Sequence, residues 1–138
     1  MTPRQPVDVV RDMYAAFEAR DEPRLRTLIH SKVEWNQCEG FPGGARHRGV
    51  DAVLAAVFGA NRTTWTGFRA PVEEYVAAGE RVVAIGHYTG THATTGTSMR
   101  AVFAHVYVVR DSRIVRFDQI ADTWPMVAAA DPEPDPQP

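Results

Sequence analysis

The stretch from Ser98 to Trp124, SMRAVFAHVYVVRDSRIVRFDQIADTW, reads as two long strands joined by a tight turn at Arg110-Asp111-Ser112-Arg113. Ala101, Val102, Phe103, Ala104, Val106, Tyr107, Val108 and Val109 make the first strand apolar on both faces. The second alternates, with Ile114, Phe117 and Gln119 set against Arg116 and Asp118, the period of a half-buried strand. His105 stands in the middle of the first. A polar group on a strand covered from both sides must find a partner. His105 is therefore either hydrogen-bonded within a core or turned into a cavity, and alternation puts Phe103 and Tyr107 on its face.

Upstream of the hairpin the chain is helical first and extended later. Val7, Val10, Tyr14 and Phe17 make one apolar stripe, which predicts a helix starting near Val7. Asp21 reads as the cap of a second, short helix that tolerates Pro23 in its first turn and buries Leu25, Leu28 and Ile29. Val33 to Gln37 reads as a short strand and Gly40-Phe41-Pro42-Gly43-Gly44 as a loop. A third helix begins at Asp51 and is closed by Gly59. Beyond it, Phe68 to Val76 and Arg81 to Tyr88 read as strands joined by a turn at Ala77-Ala78-Gly79-Glu80. Thr89 to Gly96 reads as a polar loop. Three helices followed by a meander of strands define an α+β fold, expected here as a strongly bent, mostly antiparallel sheet wrapped around the three N-terminal helices.

Composition narrows the classes. The 138 residues suffice for one domain with a proper core, expected over 1–130, and 44% hydrophobic with 23% charged residues is ordinary for a globular protein. The Pro-rich acidic stretch 131–138 is expected to be a disordered tail. A net charge of −2 gives no footprint for nucleic acid or an anionic membrane, and no apolar run is long enough to span a bilayer. A cytoplasmic protein is the default. The single cysteine, Cys38, leaves no intrachain disulfide and no cysteine-based metal site. No histidine spacing suits a metal and no Gly-rich phosphate loop follows a strand, so neither metal nor cofactor is expected.

Tyr-Ala-Ala-Phe-Glu-Ala-Arg-Asp (14–21), Val-Glu-Trp (33–35), Arg-Gly-Val-Asp-Ala-Val (48–53), Ala-Ala-Gly-Glu-Arg-Val-Val-Ala (77–84) and Arg-Ile-Val-Arg-Phe-Asp-Gln (113–119) occur in this order. Together they resemble the nuclear-transport-factor-2-like superfamily, and within it the SnoaL-like group of polyketide cyclases, ketosteroid isomerases and limonene-epoxide hydrolase relatives. The resemblance covers about Val7 to Trp124 and implies a cone-shaped barrel with a pocket opening at one end of the sheet. It places His105 where isomerases keep a protonated aspartic acid and where anthracycline cyclases have a histidine. Gln119 falls at the cyclases' acid/base aspartate, Gln37 at the isomerases' aspartate base, and Gly86 and Tyr88 near the epoxide hydrolases' aspartate and arginine. Met13 takes the place of the isomerases' oxyanion tyrosine, with Tyr14 beside it.

A glutamine accepts no proton at neutral pH, so Gln37 and Gln119 can polarise a substrate but not act as bases. Protic chemistry then rests on His105, whose unperturbed pKa near 6.5 populates both forms, with Asp122 as a second catalytic candidate. Asp122 equally suits the cap of a terminal helix from Trp124 to Ala130. The candidate substrate-binding residues are Tyr14, Trp35, Gln37, Tyr88, Phe103, Phe117 and Gln119, while Trp65 and Phe68 read as packing. Arg46-His47-Arg48 is either an anion clamp at a cavity mouth or a solvated loop. The expected activity is cofactor-free cyclisation, isomerisation or dehydration of an apolar carbonyl compound such as a polyketide, with His105 exchanging the proton. The competing expectation is a non-catalytic ligand-binding or dimerisation module. The resemblance also implies a homodimer through the outer face of the sheet.

Overall fold

The computed structural model describes residues 4–132. The segment 133–138, most of the expected tail, lies outside them. Helix α1 (Pro6–Ala19) starts on a proline, whose missing N–H costs nothing there, and ends at Arg20 in the left-handed region. Its deepest residues are Val9, Val10, Met13 and Ala16, with Val7, Tyr14 and Phe17 on the flank, so the buried stripe is rotated from the expected one. Helix α2 (Glu22–Leu28) is capped as expected, the Asp21 carboxylate accepting the Arg24 N–H at 3.1 Å.

Strand β1 (Ile29–Asn36) is longer than expected, and Arg46 to Arg48, taken for a loop, forms a short strand β2 (Arg46–Arg48) against it. Helix α3 (Val50–Thr64) runs through Gly59 instead of ending there. A helix-interior glycine costs only about 1 kcal/mol, too little to end a helix packed on the core through Val53, Leu54, Val57 and Phe58. The single expected strand 68–76 is broken at Ala70-Pro71 into β3 (Trp65–Arg69) and β4 (Val72–Ala78), since proline cannot donate to a ladder. Strand β5 (Arg81–His92) absorbs the start of the expected loop and leads through a short turn into β6 (Ser98–Arg110). β7 (Arg113–Ala121) follows a two-residue turn in which Asp111 and Ser112 both have positive φ, the geometry that matches the twist of a hairpin. Helix α4 (Trp124–Ala130) closes the described chain.

The strands form one sheet in the order β2-β1-β7-β6-β5-β3, with β4 also paired to β5. Every pairing is antiparallel except β1 with β7. The sheet curls around α1 and α3 as the expected α+β cone. Met99, Ala101, Phe103, His105 and Tyr107 alternate inward along β6 and are buried. On the opposite face, apolar side chains are exposed in the single chain: Val102 is 47% exposed and Ile120, beside Ala104 on β7, 60%. Two apolar clusters result, one between α1–α3 and the sheet, the other around Trp65, Tyr88, Met99, Phe103 and Met126 under α4.

Candidate functional site

The curl of the sheet leaves a cavity of about 950 Å³ between α1, α3 and the inner faces of β1, β5, β6 and β7. Its walls are aromatic. Trp35 and Phe117, side by side on the parallel pair β1–β7, stack with ring centroids 4.0 Å apart. Phe41, Phe58, Trp65, Phe68 and Tyr75 complete the lining, so Trp65 and Phe68 do more than pack. Glu18 of α1 and Arg69 of β3 form an ion pair among the lining residues, and Arg20 lies in the lining as well.

At the inner end sits a chain of hydrogen bonds drawn from four elements. Gln119 stands directly across the ladder from His105, and Ala84 on the other side leaves room for the imidazole. The Cys38 N–H, just beyond β1, donates to Gln119 Oε1 at 3.0 Å, and Gln119 Nε2 donates to the Tyr88 hydroxyl at 2.7 Å. Tyr88 in turn bonds His105 Nε2, Tyr14 of α1 bonds His105 Nδ1 at 2.6 Å, and Tyr14 meets the Tyr107 hydroxyl at 2.7 Å. No buried side-chain N or O among the described residues lacks a partner. The two readings of His105 left open by the sequence are thus combined: it is satisfied at both ring nitrogens and it lines the cavity, at 5% exposure.

Burial fixes the protonation of this cluster. It pulls the His105 pKa down to about 3, so the imidazole is neutral at pH 7 and does not populate both forms as expected. Burial likewise pushes the Tyr14, Tyr88 and Tyr107 phenols up, keeping them protonated. One Gln119 amide hydrogen, the three phenols and the imidazole N–H bring five hydrogens to four contacts, so one hydrogen of the chain is left over for a ligand. A second donor comes from Gln37. Its Oε1 accepts the Ala45 N–H at 3.2 Å and faces His47 Nε2 at 3.3 Å, which leaves its amide hydrogens to the cavity. The inner end of the cavity is uncharged and rich in donors.

Of the sequence-derived residues, Tyr14, Trp35, Gln37, Tyr88, His105, Phe117 and Gln119 all line the cavity. Phe103 does not. Its ring stacks on His105 at 3.9 Å and belongs to the second apolar cluster, so it holds the imidazole rather than the ligand. Asp122 is a correction too: it is exposed, outside the lining, and its carboxylate accepts the Trp124 N–H at 3.2 Å at the start of α4. None of Arg46, His47 and Arg48 lines the cavity either. Tyr107, which sequence reasoning left out of the candidates, was marked by its place two residues from His105 on the same face. Phe41 carried no such signal, since it lies in a glycine-rich loop.

A curled sheet closed over N-terminal helices around an aromatic cavity is the cone of the nuclear-transport-factor-2-like proteins. Residues 10–117 match the SnoaL-like domain family, and the chain belongs to it. An NTF2-like protein of Burkholderia thailandensis is 32% identical, with a TM-score of 0.88 over 94% of this chain and 99% of that one. IdmH of Streptomyces antibioticus, described as a candidate polyketide cyclase, is 25% identical, with a TM-score of 0.77 over 91% and 98%. TerC, co-crystallised with polyporic acid, is 27% identical, with a TM-score of 0.77 over 91% and 97%. No curated protein matches the chain.

Proposed function

We propose that the protein is a SnoaL-type enzyme that binds an apolar, planar carbonyl compound and polarises its oxygen, promoting cyclisation or isomerisation through the enol. The surplus hydrogen of the tyrosine–histidine chain carries this reading. A ligand oxygen beside Tyr88 or Tyr14 receives a pre-placed donor at the buried end of the cavity, and a bound ligand that excludes water there would let it stabilise an enolate by a few kcal/mol. Gln37 offers a second donor, and Trp35 and Phe117 give the ring a flat wall. His105 in this scheme is a neutral link between two phenols, not the base. The carbon-bound proton leaves to water or to the substrate's own basic group.

Trp35 and Trp65 line the cavity, so ligand binding is read as quenching of their fluorescence. 9-Fluorenone is expected to bind about tenfold tighter than fluorene, which has a methylene in place of the carbonyl, because a hydrogen bond worth about 1.4 kcal/mol is a factor of ten. Equal affinities would sink the reading. The absence of a carboxylate from the hydrogen-bonded inner end favours a second reading, a non-catalytic binding module. Deuterium exchange at the α-carbon of 2-tetralone in D2O separates the two. An enzyme accelerates it and loses the acceleration in Tyr88→Phe, whereas a binding module leaves the exchange at its solution rate.

We also propose that a second copy covers the outer sheet face, where Val102 and Ile120 lie exposed beside Ala104. Ile120→Glu is expected to convert a dimer to monomer in sedimentation equilibrium. A wild-type monomer at micromolar concentration would rule this out.

A further inference from the structure

A main-chain amide can only donate, so the Cys38 N–H holds Gln119 with Oε1 towards itself and Nε2 towards Tyr88. Tyr88 therefore always receives a hydrogen from Gln119. Its own hydrogen has two destinations, His105 Nε2 or a ligand. The neutral imidazole carries one N–H, and where that hydrogen sits settles the rest. With the hydrogen on Nδ1, His105 donates to Tyr14 and accepts from Tyr88. The surplus hydrogen then belongs to Tyr14, provided Tyr107 donates to it. With the hydrogen on Nε2, His105 donates to Tyr88 and accepts from Tyr14, and the surplus hydrogen belongs to Tyr88.

We infer that Gln119 and His105 are positioning residues that give the cavity two mutually exclusive subsites for a carbonyl oxygen, one at Tyr88 and one at Tyr14, selected by the imidazole tautomer. This rests on the reading of the cavity as a carbonyl-binding site. The subsites lie at opposite ends of the imidazole, so a ligand oxygen at one end withdraws the donor from the other. The coupling needs no movement of the backbone. The hydrogens of Tyr88 and Nδ1 pass along bonds already made to Nε2 and Tyr14, and the cavity's solvent takes one hydrogen from Tyr14 and returns one to Tyr88, so the proton count of the protein is unchanged.

Gln119→Glu tests the inference with a side chain of nearly the same shape. A carboxylate only accepts, so both the Cys38 N–H and the Tyr88 O–H donate to it. Tyr88 must then take its hydrogen from His105 Nε2, Nδ1 from Tyr14, and Tyr14 from Tyr107, and no hydrogen is left over. In ¹⁵N-histidine spectra at neutral pH the variant is expected to hold His105 wholly as Nε2–H. Its preference for 9-fluorenone over fluorene should fall from about tenfold to about one, with fluorene binding unchanged. An Nδ1–H imidazole, an imidazole protonated on both nitrogens, or a retained preference overturns the inference. In the wild type, 9-fluorenone is expected to drive a mixture of tautomers to one form while fluorene leaves the mixture alone. Imidazole signals that stay put as fluorenone binds overturn it as well. If fluorenone binds neither protein, the carbonyl-binding reading fails on its own. The tautomer of Gln119→Glu then decides the coupling: Nε2–H upholds it and Nδ1–H removes it.

Discussion

Lowering the pH from 6.5 to 5 is expected to cost the native state about 2 kcal/mol through His105 alone, at about 1.4 kcal/mol per unit. In the unfolded chain this imidazole titrates near its ordinary value of about 6.5. In the fold, burial holds it down to about 3. Between those two values the unfolded chain binds a proton that the native state refuses, so acid favours unfolding. The contribution is fully present above pH 6.5 and is lost as the pH falls through the window to about 3, where the total reaches about 5 kcal/mol. Protonation cannot be accommodated cheaply. An imidazolium must donate from both nitrogens, which forces both phenols to accept, in a site with no carboxylate to offset the charge. Urea unfolding at pH 7.5, 6 and 5 measures the effect against His105→Gln, which carries no titrating group there. The wild type should lose about 2 kcal/mol more than the variant across that range. Parallel pH profiles for the two proteins would show that His105 is not held neutral by the fold.

The same residue marks the border between what the chain reveals locally and what it hides. The hairpin around His105 was legible because alternation, a polar turn and β-branched residues all agree over Ser98 to Ala121. The Asp21 cap was legible for a similar reason, its partner being three residues away. The break at Pro71 was written in the sequence and still missed, because a proline is tolerated at a sheet edge. Only the pairing of β3 and β4 with different parts of β5 shows that two strands are present. The parallel contact of β1 with β7 joins residues some 80 apart and leaves no periodic trace. The site divides the same way. Trp35, Tyr88, His105, Phe117 and Gln119 were named on strands that do face the cavity, whereas Phe41, Phe58, Tyr75 and Tyr107 were not, and Tyr14 meets His105 across 91 residues of chain. The donor that sets the direction of the whole network is the backbone N–H of Cys38, and a main-chain group has no residue type to read.

Gly86→Ala is expected to destabilise the protein by about 3 kcal/mol, more than one added methyl would suggest. Gly86 sits on β5 between Val72 of β4 and Phe103 of β6, with an ordinary strand φ, so its role is space rather than conformational freedom. A Cβ at this position would lie 2.1 Å from the Pro71 carbonyl oxygen and 2.9 Å from the Phe103 ring. Neither neighbour yields easily. The Pro71 carbonyl accepts the His87 N–H at 3.3 Å, and proline's fixed φ holds the chain where β3 gives way to β4. The Phe103 ring is wedged between Tyr88, 4.6 Å away, and His105, 3.9 Å away. Relief therefore either peels β4 off β5 or drives Phe103 into the imidazole, and the second route disturbs the hydrogen-bonded chain as well. Gly59→Ala is the control. Gly59 lies in the interior of α3 with open space where its Cβ would go, so that exchange should stabilise the helix by about 0.5–1 kcal/mol. Urea unfolding of the two variants separates packing from chain entropy. A Gly86→Ala protein within about 0.5 kcal/mol of wild type would mean that β4 can move aside, and that the wall behind Tyr88 and His105 is softer than its contacts imply.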